Sequence, residues 1–255
     1  MHITRLAAAI ALLGPWLCSA ASAADTLKAT IDRLGGQPCR VGNLTCVSVE
    51  VPVDYRANTG PKIKIEYAVS FASGESKGVL FYVVGGPGGS GIGVADDYLG
   101  AFDARLTENM DIVFFDQRGV GPDHGIECPK AQGVFDMTEI SVDRPDEAIA
   151  AAKTFATDCT AQLKSRDLLG FVHTEVAIRD LEEFRQKIGA PKVWIYGESY
   201  GTQFSQQYAS LYPTAVKGVA LDGVVDLALD FDAYYASYTE AAASARRKVA
   251  RSSGP

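Results

Sequence analysis

One ten-residue run constrains this chain more than any other stretch: Val193-Trp194-Ile195-Tyr196-Gly197-Glu198-Ser199-Tyr200-Gly201-Thr202. Its first four residues are β-branched or aromatic and suit a buried strand, whereas the residues beyond it, through Gln206 and Tyr208, suit a helix. A serine between them sits on a strained strand-to-helix turn. The flanking glycines are needed there because side chains would collide with neighbouring backbone. Such a turn lifts the Ser199 hydroxyl clear of the sheet. It also sets the Tyr200 N–H and the positive end of the helix beside any oxyanion that develops on a bound carbonyl. A bare Gly-x-Ser-x-Gly arises often by chance; the strand before it and the helix after it give the pattern its weight. Ser199 is thus the candidate nucleophile.

A second glycine run, Gly85-Gly86-Pro87-Gly88-Gly89-Ser90-Gly91, directly follows the apolar stretch Val79–Val84. Glycines let backbone N–H groups approach a substrate, so this loop is the candidate for the other half of an oxyanion hole. A phosphate-binding loop of the Walker type needs Lys-Ser or Lys-Thr after its last glycine, and Ile92 stands there instead. Three short, nearly continuous apolar runs, Val79–Val84, Asp111–Phe115 and Val193–Tyr196, are separated by long segments, as buried parallel strands are. A further run, Val216–Leu221, closes the series. Helical patterns cover Asp146–Leu163 and Thr174–Ile188, while Val47–Val53 and Lys62–Phe71 read as an antiparallel hairpin turning at Asn58-Thr59-Gly60-Pro61. The expected fold is α/β, with a doubly wound, mostly parallel sheet whose glycine-rich strand ends lie where such sheets bind ligands.

Gly85 to Gly89, then Asp116-Gln117-Arg118-Gly119 after a strand, then Gly197-Glu198-Ser199-Tyr200-Gly201-Thr202 together resemble the proline iminopeptidase and tripeptidyl aminopeptidase family of serine exopeptidases, from about Val47 to Val225. The resemblance implies an α/β-hydrolase fold with a mostly helical cap inserted after the sixth core strand, and no cofactor. Such enzymes release residues or short peptides from peptide N-termini through an acyl-enzyme. Carried onto this chain, Ser199 is the nucleophile, and the N–H groups of Tyr200 and Gly86 form the oxyanion hole. Asp116 and Arg118 would brace the floor of the site through ion pairs and hydrogen bonds. Glu198 is the candidate for binding a substrate amine, with satisfaction by nearby backbone donors as the plainer alternative.

Arg5, the apolar run Leu6–Leu17 and the small residues Ala21-Ser22-Ala23 make a secretory leader pattern, with cleavage expected before Ala24. The run's twelve residues fall short of the roughly 20 that a bilayer core requires. Leu17 occupies the place where a lipoprotein signal wants a small residue before Cys18, so no stable membrane anchor is expected. The mature chain keeps Cys39, Cys46, Cys128 and Cys159, an even count that reads as two disulfides in a secreted or periplasmic protein. Three pairings are possible; the short separation of Cys39 and Cys46 across a turn containing Gly42 and Asn43 favours that pair, leaving Cys128 with Cys159. No CxxC or His-rich cluster accompanies them, so no metal site is expected. Lys and Arg number 24 against 31 Asp and Glu, and a net charge of -7 repels phosphate backbones. The expected partner is a peptide substrate, not nucleic acid.

Serine hydrolysis also needs a base for the hydroxyl proton and a carboxylate to orient the imidazole, in this fold in the order Ser, acid, His. His2, His124 and His173 all precede Ser199. His124 and His173 read as surface or loop histidines and Asp222 as the end of its strand, with variant base and acid as the alternatives. The resemblance places the usual acid and imidazole beyond a cap. The domain reading is therefore a leader at 1–23, an α/β-hydrolase core of six strands at 24–225, and the start of a cap with an irregular tail at 226–255. Asp226–Glu240 is rich in Asp, Ala and Tyr, whereas Ala241–Pro255 carries Arg246, Arg247, Lys248 and Arg251 and no acid. That charge reversal fits a chain truncated at the start of its cap by a frameshift or early stop, and inactive alone. Competing readings are an esterase of the same fold, and a non-catalytic fragment that needs a C-terminal complementing piece.

Overall fold

In the computed structural model, which describes residues 23–40, 42–57, 59–139 and 143–252, the two alternating stretches near the N-terminus pair as an antiparallel hairpin. It follows α1 (Ala23–Arg33) and a short β1 (Gln37–Pro38), and its strands are β2 (Thr45–Pro52) and β3 (Lys62–Ser70). Val49 pairs with Ile65. The alternation buries Val47, Val49 and Val51 of β2 and turns Ser48 and Glu50 outward, so a slip of one residue would expose the whole apolar set. Asn58 of the expected turn, and the leader through Ser22, lie outside the described residues.

β4 (Val79–Val83) and β5 (Asp111–Phe115) are buried at every position, because helices cover both faces. They are followed in the chain by β6 (Val193–Glu198) and β7 (Val216–Asp222), and the sheet order is β1-β2-β3-β5-β4-β6-β7. β5, β4, β6 and β7 run parallel; β1, β2 and β3 join antiparallel at the other side. Strand order thus reverses at β4, with β5 on one side and β6 on the other. In open sheets of this kind the crevice outside the carboxyl ends at such a reversal is where ligands bind.

The helices are α2 (Ala95–Ala101), α3 (Ala104–Asn109), α4 (Pro129–Asp136), α5 (Pro145–Gln162), α6 (Thr174–Lys187), α7 (Tyr200–Leu211) and α8 (Phe231–Ser252). On one face of the sheet, Leu27 and Ile31 of α1, Ile178, Leu181 and Phe184 of α6, and Phe204 and Tyr208 of α7 pack on Val49, Ile65, Phe81 and Val83. Tyr67 and Phe184 stack at 3.8 Å between centroids. On the other face Tyr98, Leu99, Phe102 and Leu106 cover Leu80, Tyr82, Ile112 and Phe114. Each fully buried Phe or Leu of these layers contributes about 1.5–3 kcal/mol of hydrophobic stabilisation.

Both disulfides form as paired from the sequence: Cys39–Cys46 and Cys128–Cys159. The first ties β2 to the segment after β1; the second ties the start of α4 to α5. Two elements near the ends of the chain differ from expectation. The expected irregular tail contains one helix, α8, because residues 231–252 hold no Gly or Pro, are rich in alanine, and place Arg246, Arg247 and Lys248 toward the negative end of the helix dipole. α1 straddles the expected cleavage point and its Leu27 and Ile31 plug the core, a role that no local pattern announces. Among the described residues no helix is long and apolar enough to cross a membrane.

Candidate active site

Ser199 caps the N-terminus of α7 with φ 52° and ψ −119°, and it is the one non-glycine with positive φ among the described residues. Backbone in this region costs on the order of 1–3 kcal/mol and persists only where the surroundings enforce it. Here they do. The Ser199 N–H donates to the Asp222 carbonyl at 2.8 Å, and the Ser199 carbonyl accepts from the Thr202 N–H at 2.9 Å and its hydroxyl at 2.7 Å. A Cβ on Gly197 would stand 2.3 Å from the Gly201 carbonyl oxygen, and one on Gly201 would stand 2.0 Å from the Val83 oxygen. The two glycines therefore let the turn close against β4, as the sequence reading requires. The serine side chain is exposed at the tip.

The second glycine loop leaves β4 directly beside it. A Cβ on Gly85 would lie 3.2 Å from Ser199 Cβ and 3.6 Å from its Oγ, so the loop passes at contact distance from the hydroxyl. The peptide between Gly86 and Pro87 is cis. Gly86, Pro87, Ser199 and Tyr200 line one cavity of about 570 Å³, closed by Gln203 and Gln207 of α7 and by residues between Val225 and Tyr235. Gln203, Gln207 and Tyr234 went unnoticed in the sequence; a glutamine one turn along the helix after an elbow is the only signal that could have marked Gln203.

Glu198 does not join that cavity. Strand alternation turns Tyr196 and Glu198 to the α2 face, away from the α7 face that holds Ile195. There Glu198 Oε2 accepts hydrogen bonds from the Tyr82 hydroxyl at 2.8 Å and from the Tyr98 hydroxyl. The structure thus binds Glu198 to two tyrosines, where the sequence suggested a substrate amine or backbone donors. Asp222 ends β7 and accepts from the Tyr196 hydroxyl at 2.8 Å. Burial, then the hydrogen bond to Asp222, pushes the Tyr196 hydroxyl up to about 12. Tyr82 is raised by burial and by Glu198, and Tyr98 chiefly by its bond to Glu198.

Comparison with known proteins decides the family. The model of the alpha/beta hydrolase fold matches residues 78–249. The chain belongs to the α/β-hydrolase family. Serine protease Hip1 of Mycobacterium tuberculosis is 32% identical to this chain over 203 residues, covering 74% of the chain and 39% of Hip1. A tripeptidyl aminopeptidase of Streptomyces lividans is 30% identical over 205 residues, covering 73% and 36%. The proline iminopeptidase of Neisseria gonorrhoeae is 25% identical over 153 residues, covering 60% and 34%. The chain therefore spans well under half the length of these relatives, and its resemblance to serine peptidases of the tripeptidyl aminopeptidase and proline iminopeptidase kind holds.

The two histidines that the structure describes, His124 and His173, do not line the Ser199 cavity. His124 is buried; its Nδ1 accepts the Gly119 N–H at 3.2 Å and its Nε2 donates to the Lys64 carbonyl at 2.9 Å, so both ring nitrogens are engaged in hydrogen bonds. His173 precedes α6 and lines a neighbouring cavity of about 570 Å³ that shares Pro87, Tyr200 and Gln203 with the first. Arg118 is wholly buried: its Nε and Nη2 grip Asp180 at 2.7 and 2.6 Å, and Nη1 donates to the Val53 carbonyl at 2.9 Å. It locks α6 to the hairpin and holds the floor from below. Among the described residues no group of three His, Cys, Asp or Glu is placed to hold a metal ion.

Proposed function

We propose that Ser199 is the nucleophile of a secreted serine aminopeptidase, with the N–H groups of Tyr200 and Gly86 as its oxyanion hole. One observation carries this reading: a serine held at φ 52° between strand and helix, with its side chain against Gly85 of a second glycine loop. That geometry exposes the hydroxyl and brings backbone from two segments to one side of it. Attack of Oγ on a peptide carbonyl forms a tetrahedral oxyanion, a base takes the hydroxyl proton and returns it to the departing amine, and water hydrolyses the resulting acyl-enzyme. The names of the relatives support peptides as the substrate class, with residues or short peptides released from the N-terminus. The leader pattern and the two disulfides support a secreted or periplasmic location. The division into a hydrolase core at 24–225 and a cap from 226 goes with this reading, since Leu227, Leu229, Asp230, Tyr234 and Tyr235 line the Ser199 cavity.

No imidazole among the described residues lines that cavity. Little turnover is therefore expected of this chain by itself, with the base and acid supplied by a C-terminal complementing piece. Prolonged incubation with a fluorophosphonate tests the assignment. An oxyanion hole alone retains roughly 10³–10⁴-fold acceleration over water, so a slow adduct is expected on Ser199 and is abolished by Ser199→Ala. Rapid labelling would show that a base is present after all. An adduct formed equally in Ser199→Ala would overturn the nucleophile. On a full-length version that carries the acid and imidazole, turnover of a tripeptide arylamide, set against a short nitrophenyl ester, separates peptidase from esterase; cleavage of the ester alone would sink the aminopeptidase reading.

A further inference from the structure

We propose that Asp116 is a positioning residue for the glycine loop: its carboxylate anchors Ser90 and Ile92 and so holds the loop against Ser199. The inference rests on Ser199 being the nucleophile. Five of the seven residues from Gly85 to Gly91 are glycine, and glycine loses more backbone freedom on ordering than any other residue. A loop of this composition keeps one shape only if both its ends are fixed. The first end continues β4. The second is held from β5, whose last residue, Phe115, immediately precedes Asp116.

There Asp116 Oδ1 accepts the Ser90 hydroxyl at 2.7 Å and the Ile92 N–H at 3.2 Å. Ser90 Oγ in turn accepts the Gly93 N–H at 2.8 Å. A Cβ on Gly91 would stand 2.4 Å from the Phe115 carbonyl oxygen, so the loop lies flat on the end of β5 at the same place. Asp116 is itself buried and fixed, with its N–H donated to the Glu66 carbonyl at 3.1 Å. Its oxygen faces the loop's own donors, whereas Arg118, two residues on, turns to Asp180 on α6. The Asp116–Gly119 stretch thus divides its work: Arg118 fastens the scaffold and Asp116 fastens the oxyanion loop. Displacing a catalytic group by about 1 Å costs on the order of 100-fold in rate, which is the scale on which such an anchor matters.

The test uses the full chain and four forms: wild type, Asp116→Ala, Asp116→Asn and Ser90→Ala. Amide hydrogen exchange over residues 85–93 is expected to quicken about ten-fold or more in Asp116→Ala, with protection of the β2–β3 hairpin unchanged. The maximum rate of fluorophosphonate labelling at Ser199 is expected to fall on the order of 100-fold, while half-saturation by the probe moves less than about two-fold. Asp116→Asn keeps an oxygen acceptor in place and should restore both readouts; Ser90→Ala removes one of the two bonds and should fall between. Unchanged exchange over 85–93 in Asp116→Ala would overturn the proposal. If Asp116→Ala fails to fold, an Asp116→Asn chain that does not recover wild-type exchange and rate, or a Ser90→Ala chain identical to wild type, overturns it equally. If wild type forms no Ser199 adduct, the nucleophile reading fails and exchange alone decides Asp116.

Discussion

Gly201 leaves the elbow the least latitude of any residue. A methyl group there would meet the Val83 carbonyl oxygen at 2.0 Å, and that oxygen belongs to backbone that cannot rotate aside. Gly201→Ala is expected to cost about 3 kcal/mol or more, read as a lower urea midpoint at constant slope. Gly133→Ala is the contrast: this glycine sits within α4 with nothing within 4 Å of its would-be Cβ, and the change should stabilise by up to about 1 kcal/mol. Equal midpoints for the two variants would contradict the close approach of α7 to β4. Residues like Gly201 were legible in the sequence because their role is steric and local to a ten-residue pattern. Glu198 was not, because its fate depends on Tyr82 and Tyr98, 116 and 100 residues away, which strand register and a helix bring to the same face. His124 is similar: its partner Lys64 lies 60 residues off, and only the folded sheet shows that its ring is fully engaged.

At the scale of elements, α6 and α7 are joined through one carboxylate. Glu182 of α6 accepts from Arg185 at 2.8 and 2.6 Å, from Gln186 at 2.8 Å, and from the Tyr208 hydroxyl of α7 at 2.7 Å. Burial pushes the carboxyl up, but the donors from Arg185, Gln186 and Tyr208 outweigh it and hold Glu182 below its ordinary value of 4.5. A carboxylate depressed on folding stabilises above its unfolded pKa, and that contribution fades as pH falls through the lower folded value. Urea midpoints measured from pH 7 down to pH 3 should therefore drop further below about pH 4.5 in wild type than in Glu182→Gln. Parallel curves would mean that the link carries no charge-dependent stability. Helical periodicity placed α5 and α6, and alternation or continuous apolar runs placed the six main strands, to within one or two residues. α2 and α3 span 7 and 6 residues, too short to show a period. α8 was hidden because its polar and alanine-rich faces carry no apolar stripe, which is also why most of its described residues, 232–248, stay exposed.

For the whole molecule, the sheet order ends at β7, which among the described residues pairs only with β6. A strand of composition Val-Lys-Gly-Val-Ala-Leu-Asp would be buried on both faces inside a parallel sheet; here Val219 is 38% exposed and Trp194, on the next strand, 39%. An open edge beside uncovered apolar surface is a template for pairing with another chain. Concentration-dependent self-association is accordingly expected, visible as an apparent mass that rises with concentration in light scattering. Ala220→Lys puts a charge on this exposed edge strand, away from the Ser199 cavity. It should hold the mass at the monomer value and leave Ser199 labelling unchanged. Ala150→Lys, on the exposed surface of α5, changes the net charge by the same amount without touching the edge. It should associate as wild type does. If both substitutions suppress association equally, net charge and not the β7 edge governs it; if neither does, the contact lies elsewhere on the surface.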